Sequence, residues 1–145
     1  MKSKDLTIII VTFKSEERII NCLKSIPSDI PVIIVENSNN KNFKKDIESH
    51  FNNVNCFLTG GNKGYAVANN IGLNNVKTKF ALVLNPDTIV AKDAIQNFFH
   101  TANSKEDFWL IGPANDQMVN LNFKEHNLME VENLKGFAIF FKLSK

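Results

Sequence analysis

The strongest constraint on the fold is a repeated alternation, in which short continuous apolar runs are separated by stretches with apolar residues at helical spacing. Leu6 to Phe13 is unbroken and rich in β-branched residues, the pattern of a strand buried on both faces. Ser15 stands where it can cap a following helix, with Glu16 and Glu17 at the positive end of that helix dipole. Ile19, Ile20, Leu23 and Ile26 recur at helical spacing, and Pro27 ends the helix. Pro31 to Glu36 is a second buried strand, closed by the polar turn Asn37-Ser38-Asn39-Asn40. Phe43 to Phe51 is a short helix, Val54 to Leu58 a third and weaker strand, and Tyr65 to Val76 a helix despite its asparagines. Phe80 to Leu84 is the fourth strand, and Ala91 to Ala102 is amphipathic with Ala94, Ile95, Phe98 and Phe99 on one face. Phe108 to Ile111 and Leu134 to Leu143 supply the last strands. At least four strand–helix cycles predict an open, mostly parallel α/β sheet flanked by helices.

Composition narrows the partners. The 145 residues suit one domain spanning 1–145, and 12 Phe against one Trp and one Tyr predict a core of Phe and Ile. A net charge of +2, with Lys41, Lys44 and Lys45 interleaved with Asp46 and Glu48, describes a solvated helix face and excludes a nucleic-acid surface. Cys22 and Cys56 lie far apart without metal-ligand spacing, which predicts reduced thiols, with Cys22 a small buried hydrophobe. The first apolar run is too short to span a bilayer and lacks a cleavage site, so the expected location is cytoplasmic, free or at the inner face of the membrane. His50, His100 and His126 are scattered, and no Ser/His/Asp or Cys/His arrangement emerges.

Polar residues of interest fall at the expected carboxyl ends of the strands, where open α/β sheets bind ligands. Thr12 to Lys14 follow the first strand, Glu36 to Asn39 the second, Gly60 to Gly64 the third, and Asn85 to Thr88 the fourth. Pro86 ends the ladder, so Asp87 projects from the sheet edge and can share Mg²⁺ or Mn²⁺ with a diphosphate. A capped turn, with Asp87 or Thr88 serving the next helix, is the alternative, and spacing alone favours it. Glu36 is either a hydrogen-bond acceptor for a base or ribose, or a solvent-exposed strand end. Gly60-Gly61-Asn62-Lys63-Gly64 precedes a helix and allows close approach of a phosphate, but matches neither a Walker loop nor a dinucleotide fingerprint. Asn69 and Asn70 run against helix propensity, which leaves a polar role or an exposed polar face.

Together these segments resemble family 2 glycosyltransferases of the GT-A fold, especially the bacterial rhamnosyltransferase-like branch. The resemblance rests on Thr7-Ile8-Ile9-Ile10-Val11-Thr12-Phe13, on Val35-Glu36-Asn37-Ser38, on Gly61 through Gly72, and on Leu82-Val83-Leu84-Asn85-Pro86-Asp87-Thr88. Lys135-Gly136-Phe137-Ala138-Ile139-Phe140 resembles the family's small-residue strand near the acceptor side. The order of these pieces over nearly the whole chain makes the resemblance specific.

The resemblance implies an inverting transfer of a sugar from a nucleotide diphosphate, such as a dTDP- or UDP-sugar, to a glycan or lipid-linked acceptor. Thr12 and Phe13 would line the nucleotide pocket, and Glu36 would contact the base. Asn62, Gly64 and Asn69 would shape the donor pocket, with Asn85 beside them and Asp87 binding the metal. Glu36 stands where relatives carry Asp, Lys14 replaces a common Asn, and Asn85 replaces the first Asp of the Asp-x-Asp motif. Members continue for about another hundred residues, roughly a small domain's worth, including the acidic segment that supplies the catalytic base. No base is therefore nominated, and a non-catalytic nucleotide-sugar-binding module is the alternative. A last strand left uncovered would expose Phe137, Ile139 and Phe141 and drive self-association into homo-oligomers.

Overall fold

A computed structural model describes residues 3–105, 107–113 and 131–143. After a short 3₁₀ turn at Ser3–Asp5, the chain runs β1 (Leu6–Thr12), α1 (Glu16–Ser25), β2 (Val32–Glu36), α2 (Lys41–His50), β3 (Val54–Leu58), α3 (Tyr65–Asn74), β4 (Phe80–Leu84), α4 (Ala94–Ser104), β5 (Leu110–Ile111) and β6 (Ala138–Lys142). The six strands form one sheet in the order β3-β2-β1-β4-β6-β5. β1 to β4 are mutually parallel, with Ile10 opposite both Ile34 and Leu84. β6 runs antiparallel to β4 and β5. The mixed, mostly parallel sheet is the one the alternation predicts. Among the described residues no helix is long and apolar enough to cross a membrane.

Strand alternation sorts the apolar residues onto two faces. Leu6, Ile8 and Ile10 of β1, with Val32 and Ile34 of β2 and Phe80, Leu82 and Leu84 of β4, pack against Ile19, Cys22 and Leu23 of α1, Phe43 and Ile47 of α2, and Ile95 and Phe99 of α4. Phe140 of β6 stacks on Phe80 and Phe98 at centroid distances of 5.1 and 5.2 Å, and meets Phe99 edge-on. The opposite face is a smaller cluster, in which Ile9, Val11, Ile33, Val35, Ala81 and Val83 pack with Ala68 of α3. Helix α3 comes so close there that a Cβ on Gly72 would lie 2.5 Å from Ile9 Cγ2. That glycine sets how deeply α3 sits on β1 and β2.

Several boundaries differ from the sequence expectation. Ser15 occupies the N-cap of α1 but makes no capping bond, because its hydroxyl donates back to Phe13 O at 3.0 Å. Helix α4 starts at Ala94, after a turn closed by Ala94 N–H to Ala91 O. Helix α3 ends at Asn74, where the Asn75 N–H turns back onto Gly72 and Leu73 carbonyls. β5 has two residues, paired only with β6 and followed by Gly112-Pro113, which withdraws a backbone donor. β6 begins at Ala138, opposite Leu84; beyond it, among the described residues, only the Asn85 N–H to Phe137 O backbone bond joins the two segments, because Asn85 O is taken by the Thr88 N–H. Among the histidines, His126 lies outside the described residues.

Candidate functional site

Because β1 to β4 are parallel, Thr12, Glu36, Leu58 and Leu84 all end at one rim of the sheet. The chain steps outward from β1 to β2 to β3, then returns to the other side of β1 as β4. The order therefore reverses between β1 and β4, and crevices at such reversals are where open α/β sheets hold ligands. Thr12-Phe13-Lys14 and Asn85-Pro86-Asp87 flank this crevice.

Glu36 is not a solvent-exposed strand end: only 1% of its surface is accessible. One carboxylate oxygen accepts the Ser38 N–H at 3.0 Å and the Ser38 hydroxyl, and the other accepts the Asn40 N–H at 2.6 Å. Asn40 in turn caps α2, accepting the Phe43 N–H at 3.0 Å, and donates to Glu16 at 3.0 Å. The acid thus organises the turn from β2 into α2, and both oxygens are already engaged. It shares its sheet face with Thr12, its register partner, two steps on from Ile34 and Ile10.

Asn37 extends this order to the glycine loop. Its Nδ2 donates to Asn62 Oδ1 at 3.2 Å and Gly64 O at 3.4 Å, while its Oδ1 accepts from Thr59 Oγ1 at 3.1 Å and the Lys63 N–H at 2.9 Å. Asn62 Oδ1 also takes the Gly64 N–H at 2.9 Å. The loop turns at φ values of 77° for Gly60, 146° for Gly61 and 81° for Gly64, a path that side chains rarely follow. It delivers the chain to the start of α3 with no side-chain cap, and the first helical bond there is Ala68 N–H to Gly64 O at 3.2 Å. The N–H groups of Tyr65, Ala66 and Val67 lie before that bond, in the first turn that suits an anion.

Two expected site residues are buried with an unsatisfied atom. Thr12 Oγ1 and Asn69 Oδ1 have no hydrogen-bond partner among the described residues, although Thr12 is 2% and Asn69 8% exposed. Buried polar atoms without partners are uncommon and point to a missing ligand or water. Asn69 Nδ2 bonds Tyr65 O at 3.1 Å within the helix. Asn70, by contrast, is exposed, so the polar-face reading holds for it alone. Phe13 is 44% exposed at the rim, with the Lys14 ammonium 5.6 Å from its ring centroid.

The Asn85–Thr88 segment is closed as a turn by its own backbone, with Thr88 N–H to Asn85 O at 3.1 Å. Asn85 N–H is held by Phe137 O at 3.0 Å, and the Asn85 side chain accepts from the Tyr65 hydroxyl at 3.0 Å. Asp87 caps nothing: helix α4 begins later, with Asp93 at its N-cap. The Asp87 carboxylate is exposed, and no hydrogen bond among the described residues claims it. Its charge is still felt by the Cys22 thiol, which burial first and Asp87 second push up to about 11. Among the described residues no cluster of three His, Cys, Asp or Glu side chains could cage a metal. One exposed carboxylate instead suits a hard cation that keeps phosphate and water oxygens as its remaining ligands.

The sequence reading gave no individual role to Asn37, Thr59 or Tyr65. Asn37 and Thr59 looked like ordinary turn residues, and only the parallel β2–β3 register shows that they meet across the rim. Tyr65 carried a signal in being the single tyrosine, placed directly after the loop.

Known proteins share this architecture. The chain superposes on an S. aureus TarS crystal structure of residues 1–349 with a TM-score of 0.73, at 16% identity over 95% of this chain and 47% of that one. It superposes on the Pyrobaculum calidifontis mannosyltransferase PcManGT, in complex with GDP-Man and Mn²⁺, with a TM-score of 0.79, at 16% identity over 95% of this chain and 44% of that one. In sequence it is 34% identical to the low-salt glycan biosynthesis hexosyltransferase Agl10 of Haloferax volcanii, over 91% of this chain and 50% of that protein. It is 32% identical to a teichoic acid poly(glycerol phosphate) polymerase of Staphylococcus epidermidis, over 70% of this chain and 15% of the polymerase. The chain thus spans half the length of the first of these relatives and much less of the second. Residues 7–144, nearly the whole chain, match the model of glycosyl transferase family 2, and the chain belongs to that family.

Proposed function

We infer that this chain holds a nucleotide-diphosphate sugar at the rim between β1 and β4, as donor for transfer to a glycan or lipid-linked acceptor. The observation that carries this reading is the Asp87 carboxylate, exposed and unclaimed at the switch point while Asn85 and the Thr88 N–H beside it are tied into hydrogen bonds. In this reading Asp87, with the Asn85 side chain beside it, holds Mg²⁺ or Mn²⁺ against the diphosphate. The metal, when bound, neutralises charge on the leaving diphosphate. The first-turn N–H groups of α3 add a second anion contact. Thr12 and Phe13 wall the nucleotide, Glu36 shapes that wall through its turn, and Asn62, Gly64 and Asn69 border the sugar. Thr12 Oγ1 and Asn69 Oδ1 have no partner among the described residues, and a ligand would reach these buried atoms only if the side chains around them shifted.

The transfer this supports is an inverting displacement. An acceptor hydroxyl oxygen bonds the anomeric carbon as the bond to the diphosphate breaks, and a general base takes the hydroxyl proton. No residue of this chain is assigned as that base. The rhamnosyltransferase-like motifs favour dTDP-rhamnose as donor, and the GDP-Man bound by PcManGT makes GDP-mannose the comparison to run.

Calorimetric titration with dTDP, UDP and GDP, with and without Mn²⁺, tests the reading. Metal-dependent binding of one nucleotide is expected, and Asp87→Ala should abolish the metal-dependent increment. Absence of such binding, or an unchanged increment in Asp87→Ala, would overturn it. Turnover of the matching nucleotide sugar with Mn²⁺ would extend the function from donor binding to transfer.

A further inference from the structure

The Tyr65 phenol stands between two acceptors with one proton to give. Its oxygen lies 3.0 Å from Asn85 Oδ1 and 3.4 Å from Gly136 O. A phenol donates once, and its oxygen can also accept. Both neighbours are served together only if the Asn85 amide turns over. Nδ2 then donates to the Tyr65 oxygen, and the phenol proton goes to Gly136 O. All three groups are satisfied, and Asn85 Oδ1 faces away from Tyr65.

The amide is the main freedom left at this position. Asn85 N–H is bound to Phe137 O at 3.0 Å, and Asn85 O receives the Thr88 N–H at 3.1 Å and the Cys22 thiol at 3.9 Å. Which end of the amide looks outward matters electrostatically. An outward oxygen attracts a cation held by Asp87, whereas an outward NH₂ repels it.

We propose that Tyr65 is a positioning residue: its hydroxyl selects the Asn85 amide orientation that presents oxygen to the metal–diphosphate, and ties that choice to the Gly136 turn leading into β6. The proposal rests on the donor-site reading above. The hydroxyl acts through Asn85 and needs no contact with the ligand itself.

The test is a double-mutant cycle in the full chain, read by calorimetry with the nucleoside diphosphate that binds best, with and without Mn²⁺. Tyr65→Phe should weaken Mn²⁺-dependent binding about three- to ten-fold, the size of one lost hydrogen bond, and leave metal-free binding within about two-fold. An aspartate carries oxygen at both ends and needs no orienting, so in an Asn85→Asp background the same Tyr65→Phe change should cost less than about two-fold. In the ligand-free chain, hydrogen exchange of the Asn85 side-chain NH₂ should quicken in Tyr65→Phe. The proposal falls if Tyr65→Phe leaves Mn²⁺-dependent binding unchanged, if the loss is equal in both backgrounds, or if the amide exchange does not respond. If the unaltered chain shows no metal-dependent binding, the donor-site reading itself fails and takes the proposal with it.

Discussion

At φ 63°, Asn39 places its backbone in the left-handed region, in the turn that Glu36 organises. Asparagine tolerates that region better than other residues with a Cβ. Asn39→Ala is expected to lower stability by about 1 kcal/mol, with Asn39→Gly far milder. Lys14 sits at φ 52° without a side chain suited to it, and Lys14→Asn should raise stability by about 0.5 kcal/mol. Urea titrations of the three variants check both statements. Beside that of Cys22, Cys56 supplies the larger thiol contribution to the pH dependence. Burial, the largest cause, pushes its thiol from 9.0 to about 12. The folded chain then holds a proton that the unfolded chain releases, so this contribution is complete below pH 9 and is lost as pH rises toward 12. The slope should approach about 1.4 kcal/mol per pH unit within that window. Unfolding curves from pH 7 upward should decline less steeply above pH 9 in Cys56→Ala.

Two contacts decide how the elements stand at the rim. Gly72 lets α3 settle on Ile9 and Val35, and the 2.5 Å approach to Ile9 leaves no room for a methyl group. Gly72→Ala should destabilise by about 1–3 kcal/mol through overpacking, and less when combined with Ile9→Ala, because the two sites are coupled. Thermal melts of the cycle measure this. Asn37 joins β2 to the glycine loop, and Asn37→Ala should lower the melting temperature while weakening nucleotide binding. The elements themselves were legible because their signals are local: unbroken β-branched runs for β1 and β2, helical spacing in α1, and Pro27 as a stop. What stayed hidden depends on partners distant in sequence. Ser15 has the right identity for a cap, but its hydroxyl finds Phe13 O instead. Glu36 was left between a ligand contact and an exposed strand end because nothing in sequence shows a turn folding back over it. β6 begins later than its apolar pattern because Asn85 O turns to the Thr88 N–H and no longer serves the ladder.

Across the whole molecule, the α/β class and the rim were legible, since alternation dictates a parallel sheet and such sheets gather their loops at one end. The Phe-rich core was legible too, although its centre on Phe140 depends on β6 inserting beside β4. The apolar surface expected on β6 is narrower than the sequence suggested. Phe137 is 39% exposed, but Ile139 and Phe141 are half-buried. Trp109 at 74% and Leu110 at 47% are adjacent exposed apolar residues at the β5 edge, whereas Ile89 at 63% and Val67 at 50% lie elsewhere. Self-association at high concentration is expected to involve this edge. Light scattering should show it diminish in Trp109→Lys, and a clean monomer at all concentrations in the unaltered chain would contradict it.

The antiparallel direction of β6 also has a practical consequence. Leu6, where β1 begins, and Lys142, where β6 finishes, both lie opposite Phe80 at the amino rim of the sheet. The strand height separates both points from the carboxyl rim proposed to hold the donor. A fluorophore or surface tether attached near either one therefore sits at the far end of the strands from Asp87, and single-molecule tests of the proposed nucleotide binding can be anchored there without crowding that carboxylate.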